Sequence, residues 1–509
     1  MKDQTYTPPS LVIATIGLAL ATFMQVLDST IANVALPTIA GNLGVSSEQS
    51  TWVITSFAVC NAIALPLTGW FSRRFGQLRL FIISVALFTV TSALCGMATS
   101  MPELIVFRAL QGFFAGPMFP MCQTLLLAIF PTTKRSVALA LISMVTVVAP
   151  IVGPITGGWI TDNYSWPWIF FINIPIGVFC CSVVWTQLKD RVDITAKMPV
   201  DYIGIALLVV GVGFLQVVLD LGNDADWFSS TKIVVMAIVS VIALISFVIW
   251  ELTDDHPIVN LYLFKDRNYA FGTLALVLSY SAFFAINIIL PQWLQIYMGY
   301  TAIWAGLASA PMGIIPFFLT PLMGRYAHKF DMRILASMSF VVIGTSCFMR
   351  SGFNTFVDFE TIALVQLFMG LGVALMFMPL TTIFLSNMHG HDIAEASGLT
   401  TFLRVLGGSF ASSLTTWIWH RRADFHHATL TEHVSNYQPA AVDYLHKMGG
   451  ETQVNLAAVD HIITVQSFMV STADYFYLLG CLFFILIVFI WFTKGPFIKA
   501  GPAAPAAGH

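Results

Sequence analysis

The chain has 509 residues and a net charge of −3; 57% of its residues are hydrophobic, 10% are charged, and its mean hydropathy is +0.81. This composition excludes a soluble globular domain and indicates a protein that crosses a membrane many times. There is no basic patch of the kind that binds nucleic acid, so we expect the lipid bilayer and no nucleic acid among its partners.

Long apolar runs follow one another along the whole chain. A span needs about 20 mostly apolar residues, and each such run is expected to be a helix because irregular backbone cannot face lipid. We therefore predict an all-α membrane protein with 14 transmembrane helices. In chain order the predicted spans are residues 11–36, 51–72, 79–99, 102–126, 136–160, 168–188, 201–221, 231–252, 269–291, 302–323, 333–350, 361–386, 396–418 and 473–493.

The distribution of lysine and arginine predicts the orientation, because basic residues accumulate in cytoplasmic loops. With 14 spans, one side of the membrane receives the basic loops that follow spans 2, 4, 6, 8, 10 and 14. The other side receives only Lys232, Arg350, Arg421, Arg422 and Lys447. We therefore expect a multi-pass protein with both termini in the cytoplasm.

Two similar basic turns predict an internal repeat. GWFSRRFGQLR begins at Gly69 after span 2, and GRYAHKFDMR begins at Gly324 after span 10. Repeated halves with a site between them are typical of alternating-access transporters. The predicted divisions are an N-terminal six-helix half at 1–190, two linker helices at 191–268, and a C-terminal six-helix half at 269–509 that includes an outer loop at 420–471.

Asp28 is the one carboxylate that lies well inside a long apolar run. A charge in hydrocarbon costs at least ~2.5–3.5 kcal/mol, so such residues usually mark a substrate or proton route. Arg108 on span 4 lies within about 3 Å of the same depth, at 1.5 Å rise per residue, so the two side chains are expected to meet. Asp28 either binds and releases protons or forms a static ion pair between spans 1 and 4.

Other polar groups in the spans are candidates for substrate contact. Arg404 on span 13 has no carboxylate in its own span, so it favours anionic ligands or a structural contact. Interhelical hydrogen bonds explain buried amides about as well as ligand contacts do. The amides that we assign to a substrate cavity are Gln25, Asn33, Gln111, Asn287 and Gln292.

Span 5 carries a glycine and proline motif at Pro150, Gly153, Pro154, Gly157 and Gly158. Glycines allow close helix approach, and prolines free backbone carbonyls and bend a helix. The motif therefore predicts either tight packing alone or a packing surface that moves during gating.

The sequence contains no GxxxxGK[ST], HExxH or GxSxG motif, so an ion gradient is the expected energy source for a transporter rather than an enzyme. We expect no cofactor and no metal. Six of the 11 histidines fall in the predicted outer loop, but their spacing matches no zinc template, so we interpret the loop as a polar, partly helical segment on which a partner protein could dock.

Five motifs carry a family resemblance along the chain: LDSTIANVALP from Leu27, WVITSF from Trp52, RALQGFFAGP from Arg108, APIVGPITGG from Ala149 and WIFFINIPIG from Trp168. The sequence resembles the fourteen-helix drug:proton antiporters of the major facilitator superfamily. The resemblance implies the major facilitator fold and proton-driven export of hydrophobic toxic compounds across a bacterial inner membrane. It also implies a periplasmic adaptor of the EmrA type and an outer-membrane channel of the TolC type.

The resemblance assigns the motif on span 5 to antiporters, and it assigns a cytoplasmic loop motif to Gly69, Arg73, Arg74 and Gly76. This chain departs from the family at Arg73, where the superfamily usually has an aspartate that forms a gate salt bridge. The alternative function is a proton-coupled uptake permease for a small nutrient, which would share the fold.

Overall fold

The computed structural model describes residues 8–131, 134–191, 195, 199–223, 225–255, 257–388, 392–432, 434, 438–447 and 452–497. In these ranges every regular element is a helix. The α-helices are α1 (Leu11–Leu43), α2 (Ser47–Phe75), α3 (Gln77–Met97), α4 (Met101–Ala115), α5 (Met118–Ile129), α6 (Arg135–Asn163), α7 (Trp168–Phe171), α8 (Asn173–Leu188), α9 (Tyr202–Leu221), α10 (Thr231–Thr253), α11 (Arg267–Ile296), α12 (Ala302–Ser309), α13 (Ile314–Tyr326), α14 (Met332–Ser351), α15 (Phe359–Ala374), α16 (Phe377–Phe384), α17 (Asp392–Glu432), α18 (Pro439–Lys447) and α19 (Gln453–Trp491).

Within the described residues, 12 helices are long and apolar enough to cross a membrane, and joining the two parts of α6 gives up to 13. The remaining predicted span, 396–418, lies in α17. This helix is long enough to cross, but its serines, threonines, glycines and Arg404 make it less apolar than the others. The prediction of 14 spans is therefore not confirmed in full.

The predicted outer loop at 420–471 consists largely of helix. α17 continues to Glu432 and α19 begins at Gln453, so both extend well beyond the predicted ends of spans 13 and 14. Between them lies the short helix α18. The helices are longer than the predicted spans because a helix continues through polar residues when its backbone bonds stay satisfied.

α6 bends where span 5 carries its prolines. Its two parts, Arg135–Pro150 and Ile155–Thr161, meet at 41°. A proline inside a helix removes one backbone donor and crowds the preceding turn, which is the usual cause of such a bend.

The turn between α1 and α2 shows how local sequence sets helix ends. Gly44 has a φ of 67°, in the left-handed region that a residue without Cβ adopts at little cost, and it ends α1. Ser46 then begins α2 with a capping box, in which its hydroxyl accepts from Gln49 N at 3.2 Å and Gln49 Oε1 accepts from Ser46 N at 3.3 Å.

We name three groups of helices for use below, following the divisions predicted from sequence. The N-terminal set is α1–α8, the inserted pair is α9 and α10, and the C-terminal set is α11–α19. The basic end is the end of the bundle that carries Arg73, Arg74, Arg325 and Lys329, and it is the predicted cytoplasmic end.

Glycines permit close helix contacts within each set. A Cβ on Gly112 of α4 would lie 2.2 Å from Phe57 O of α2. A Cβ on Gly370 of α15 would lie 2.6 Å from Met312 O, in the 3₁₀ turn between α12 and α13. Each set thus brings its fourth span against the backbone of its second span, which is the contact that an internal repeat would produce.

The two sets also meet at the basic end. A Cβ on Gly324 of α13 would lie 2.6 Å from Ala140 Cβ of α6, and a Cβ on Gly398 of α17 would lie 3.0 Å from Leu65 O of α2. Both contacts are too tight for a larger side chain. The bundle is therefore closed at its basic end.

Gly112→Ala tests the α2–α4 contact. The added methyl group meets a backbone oxygen, so the overpacking is expected to cost about 1–3 kcal/mol, more than the ~1 kcal/mol by which alanine favours a helix. We expect a lower melting temperature in detergent. Gly306→Ala, where a Cβ meets nothing within 4 Å, is the control and is expected to leave the melting temperature unchanged or raise it. Equal melting temperatures for the two variants would contradict the packing described.

Candidate functional site

Asp28 lies on α1 with no exposed surface, and it accepts three hydrogen bonds from side chains. Its Oδ2 accepts from Arg108 Nη1 at 2.7 Å. Its Oδ1 accepts from Gln111 Nε2 at 3.0 Å and from Asn173 Nδ2 at 2.7 Å. The meeting of Asp28 and Arg108 that their depths predicted therefore occurs, and two amides complete the contact.

Arg108 is 1% exposed and contacts both hydrogen-bond acceptors and aromatic rings. Its Nε donates to Val53 O at 3.1 Å, and its Nη1 also donates to Gln111 Oε1 at 2.8 Å. Its guanidinium lies 4.3 Å from the ring centre of Phe57 and 5.5 Å from that of Phe170. Arginine suits this position because its planar group combines several donors with stacking on aromatic faces.

The sequence analysis did not single out Asn173, although it lies in the WIFFINIPIG motif. It begins α8, is fully buried, and donates to Ser92 Oγ at 2.9 Å as well as to Asp28. The sequence does offer one indication of its role. Between Trp168 and Leu188 the only amide side chains are Asn173 and Gln187, and Asn173 alone lies inside the apolar run. Asp28 is thus bonded to residues from two other helices of the N-terminal set, α4 and α8, and Asn173 connects it to Ser92 of α3.

The Asp28 network is electrically balanced in this state. Each buried ion costs several kcal/mol to desolvate, and a pair is tolerated only when its remaining hydrogen bonds are satisfied. A proton added to Asp28 removes the counter-charge of Arg108 and converts one of the two acceptor oxygens into a hydroxyl that must itself find an acceptor. Protonation of Asp28 must therefore be accompanied by rearrangement of these contacts or by entry of water.

A small cavity of about 20 Å³ lies between the N-terminal and C-terminal sets. This volume has room for about one water molecule, so a drug-sized molecule can enter only when the two sets separate. Its apolar walls include Phe119, Leu276, Phe377 and Phe384. Its polar groups are Gln123, Ser143, Thr146, Thr381, Thr400, Thr401 and Arg404.

Arg404 is the one charged residue that lines this cavity. Its guanidinium lies 4.8 Å from the ring centre of Phe119, in the N-terminal set, and 4.9 Å from that of Tyr280, in the C-terminal set. No carboxylate of the described residues forms an ion pair with it. The cavity therefore presents a positive charge between two aromatic rings and is suited to an anionic group on an apolar molecule.

The amides predicted to form the substrate cavity lie elsewhere. Gln111 belongs to the Asp28 network, Asn287 donates to Phe283 O of its own helix at 2.7 Å, and Gln25 is buried outside the cavity lining. Asn33 and Gln292 are exposed.

Hydroxyl groups of serine and threonine supply most of the polar lining of the cavity instead. Sequence gave no signal for them, because such hydroxyls are common in membrane helices and usually bond the carbonyl four residues earlier, as Ser143 bonds Leu139 O at 2.8 Å.

The glycines of α6 face the helix that carries Asp28. A Cβ on Gly153 would lie 2.1 Å from Thr30 Oγ1, and one on Gly157 would lie 2.7 Å from Ile31 Cγ1. Gly158 is less constrained, since a Cβ there would lie 3.8 Å from Val34 Cγ1, an ordinary van der Waals distance. Two of the three glycines therefore bring α6 against α1 inside the N-terminal set, rather than against the C-terminal set.

The basic turn crosses between the two sets. Arg73 forms an ion pair with Glu395 of α17, whose side chain is 5% exposed. Gly69, one turn before Arg73, makes room for Glu395, because a Cβ there would lie 2.5 Å from Glu395 Cγ. Arg74 stacks 5.8 Å from the ring centre of Trp70, and Gly76 ends α2 with a φ of 86°. At the position of Arg73 the N-terminal set therefore supplies the cation, and the C-terminal set supplies the carboxylate, of an ion pair between the two sets.

One charge that was assigned to the outer side of the membrane is buried. Arg350 lies in the last turn of α14 and is 1% exposed. It donates to Ser346 Oγ at 3.0 Å and to Gln366 Oε1, and its guanidinium lies 5.7 Å from the ring centre of Phe476. The described part of the chain offers no group of three or more His, Cys, Asp or Glu arranged to hold a metal ion.

Residues 18–412 match the family model of the Major Facilitator Superfamily. The chain is 48% identical over 493 residues to the multidrug export protein EmrB of Haemophilus influenzae, and 49% identical over 495 residues to EmrB of Escherichia coli (strain K12). It is 45% identical over 490 residues to the fatty acid resistance protein FarB of Neisseria gonorrhoeae. Each alignment covers 96% of this chain and 96–97% of the relative.

Two solved structures share the fold at low sequence identity. The proton:xylose symporter XylE superposes with a TM-score of 0.60 at 14% identity, covering 94% of this chain and 95% of that chain. The human organic anion transporter MFSD10 superposes with a TM-score of 0.57 at 12% identity, covering 95% of this chain and 100% of that chain.

Arg108→Ala tests the balance of the buried pair. The substitution leaves the carboxylate of Asp28 buried with two amides and no cation, so we expect the protein to lose about 3–5 kcal/mol of stability. Thermal unfolding in detergent measures this loss. Arg79→Ala, which removes an exposed arginine from α3, is the control. The double variant Asp28→Asn/Arg108→Gln removes both charges and should recover part of the lost stability. If Arg108→Ala is as stable as wild type, Asp28 and Arg108 do not form the buried contact described.

Proposed function

The chain belongs to the major facilitator superfamily, and from this membership and the geometry of its site we propose that it is a proton-driven multidrug exporter. Relatives that are 48–49% identical over 96% of the chain are named multidrug export proteins. The protein is a multidrug efflux transporter of the superfamily rather than an enzyme. The coupling ion, the residues of the transport cycle and the assembly are the parts that we propose.

We assign proton coupling to Asp28, with Arg108, Gln111 and Asn173 as its partners. The observation that supports this assignment is a fully buried carboxylate whose charge is balanced by one arginine. Removing or adding a proton there changes the contacts of α1, α4 and α8 together. If the protein binds substrate when open to the cytoplasm and binds a proton when open to the other side, each transport cycle exchanges one for the other.

We assign substrate binding to the cavity that contains Arg404. Its phenylalanines provide adaptable apolar walls, and Arg404 attracts a carboxylate or phenolate group. The substrates that fit best are therefore amphipathic anions. A relative named for resistance to fatty acids, which are such anions, supports this choice.

We propose that the exporter lies in the inner membrane with both termini in the cytoplasm, and that it works with a periplasmic adaptor and an outer-membrane channel. α17 has 41 residues and α19 has 39, so each is about 60 Å long, roughly twice the hydrocarbon thickness. The helices must therefore project from the membrane. Phe425 and Val454 are 59% and 78% exposed on the projecting parts, and we assign these two apolar side chains to contact with the adaptor.

Asp28→Asn tests proton coupling. The amide keeps the size of the side chain but cannot bind and release the proton, so drug-dependent proton movement in inverted vesicles should fall to background while the protein remains folded. Glu103→Gln, at an exposed carboxylate on α4, is the control and should transport normally. Near wild-type coupling in Asp28→Asn would contradict the assignment, and inward-directed substrate movement in wild type would favour an uptake permease.

Arg404→Gln tests the anionic substrate class. Hydrogen bonds to charged groups contribute about 1.5–3 kcal/mol, so we expect the KM for anionic amphiphiles to rise roughly 10–150-fold. Export of a cationic dye should change much less. Arg421→Gln is a matched control on the same helix, because Arg421 also stacks on an aromatic ring, 5.9 Å from that of Trp417, but lies outside the cavity. Equal effects on anions and cations would contradict the proposed role of Arg404.

A further inference from the structure

At the basic end the N-terminal and C-terminal sets are in contact, and we call this contact the closure. The inserted pair contacts both sides of the closure. Before α9, Pro199 O accepts a hydrogen bond from Trp70 Nε1 of α2 at 3.1 Å. After α10, Asn260 Nδ2 donates to Glu395 Oε2 of α17 at 3.3 Å. The two ends of the inserted pair therefore bond to the same two helices that carry the Arg73–Glu395 ion pair.

The segment that carries Asn260 is held in place by its own contacts. Val259 N donates to Glu251 Oε2 at 3.0 Å, and Glu251 is fully buried at the end of α10. Asn260 Oδ1 accepts from Tyr262 N at 3.2 Å. The amide of Asn260 is thus fixed through its oxygen, which leaves its nitrogen directed at Glu395.

The two helices of the inserted pair are also joined to each other at the basic end. Asp201 caps α9 through Ile203 N and Gly204 N, and its Oδ2 accepts from Trp250 Nε1 of α10 at 2.9 Å. A side chain at Gly204 would collide with both Asp201 and Glu251, at 2.2 Å and 2.8 Å from their oxygens. Movement of one end of the pair is therefore transmitted to the other.

We propose that the inserted pair is a strap across the closure, and that Asn260 is a positioning residue that directs Glu395 toward Arg73. Glu395 is 6% exposed, so its carboxylate needs partners: Arg73 forms an ion pair at Oε1, and Asn260 donates a hydrogen bond to Oε2. Without Asn260, one oxygen of a buried carboxylate has lost its amide donor, and the closed state is weakened relative to the open one. The inference rests on the proposed transport cycle, in which this closure opens and closes.

Hydrogen–deuterium exchange of the full chain in nanodiscs tests the strap. For Asn260→Ala we expect about tenfold faster exchange in the closure segments 69–76 and 392–399, from the loss of one hydrogen bond to a charged group. Exchange around Asp28 and the melting temperature should stay at wild-type values. Asn260→Asp, which keeps the turn with Tyr262 but places a carboxylate against Glu395, should open the closure further.

Asn354→Ala is a matched control. Asn354 Oδ1 accepts from Phe356 N at 2.8 Å, the same local turn that Asn260 makes, but far from the closure. In a Glu395→Ala background, Asn260→Ala should have no further effect. Wild-type exchange in both Asn260 variants, or an undiminished effect of Asn260→Ala without Glu395, would overturn the proposal.

A uniform rise in exchange with a lower melting temperature would also overturn the strap, since it would indicate a role in folding alone. The exchange measurement is independent of transport. If proton-driven export is disproved, the exchange measurement still shows whether Asn260 stabilises the closed state. The two proposals can therefore fail separately. As a functional readout, weakening of the closure should change the maximum rate of efflux more than the KM, because Asn260 lies outside the cavity lining.

Discussion

The pairing of Asp28 with Arg108 is the constraint on which the rest of the structure depends. A carboxylate without exposed surface in a membrane helix is tolerated only with a counter-charge and with partners for its remaining lone pairs. Arg108, Gln111 and Asn173 meet that requirement, and they bring α1, α4 and α8 to one point. The helices of the N-terminal set cannot move far relative to one another without breaking this contact, so protonation of Asp28 has structural consequences.

α6 links the Asp28 network to the cavity and to the closure. At Gly153 it touches Thr30, two residues after Asp28 on α1, and at Ser143 and Thr146 it lines the cavity. Near its start, Ser136 O lies against Gly324 of the C-terminal set. One bent helix therefore contacts all three sites. We infer that it transmits a change at Asp28 to the closure at the basic end, where the inserted pair adds its own contacts.

Sequence predicted the all-helical fold and the meeting of Asp28 with Arg108, because span length and depth follow from hydrophobicity and helix rise alone. It could not predict contacts that depend on how helices are rotated and paired. Asn173, the hydroxyls of the cavity and the ion pair of Arg73 with Glu395 are all of this kind. The length of α17 and α19 was also missed, since polar residues that end an apolar run do not end a helix. The burial of Arg350 was missed because it depends on the packing of Ser346, Gln366 and Phe476 around the end of α14.

The most direct test is infrared difference spectroscopy of the purified protein between acid and neutral pH, which detects the carbonyl stretch of a protonated carboxyl group in an apolar setting. If Asp28 carries the coupling proton, wild type should show such a band at acid pH, substrate should abolish it, and Asp28→Asn should lack it. A band that persists unchanged in Asp28→Asn would place the proton on another group and contradict the role of Asp28.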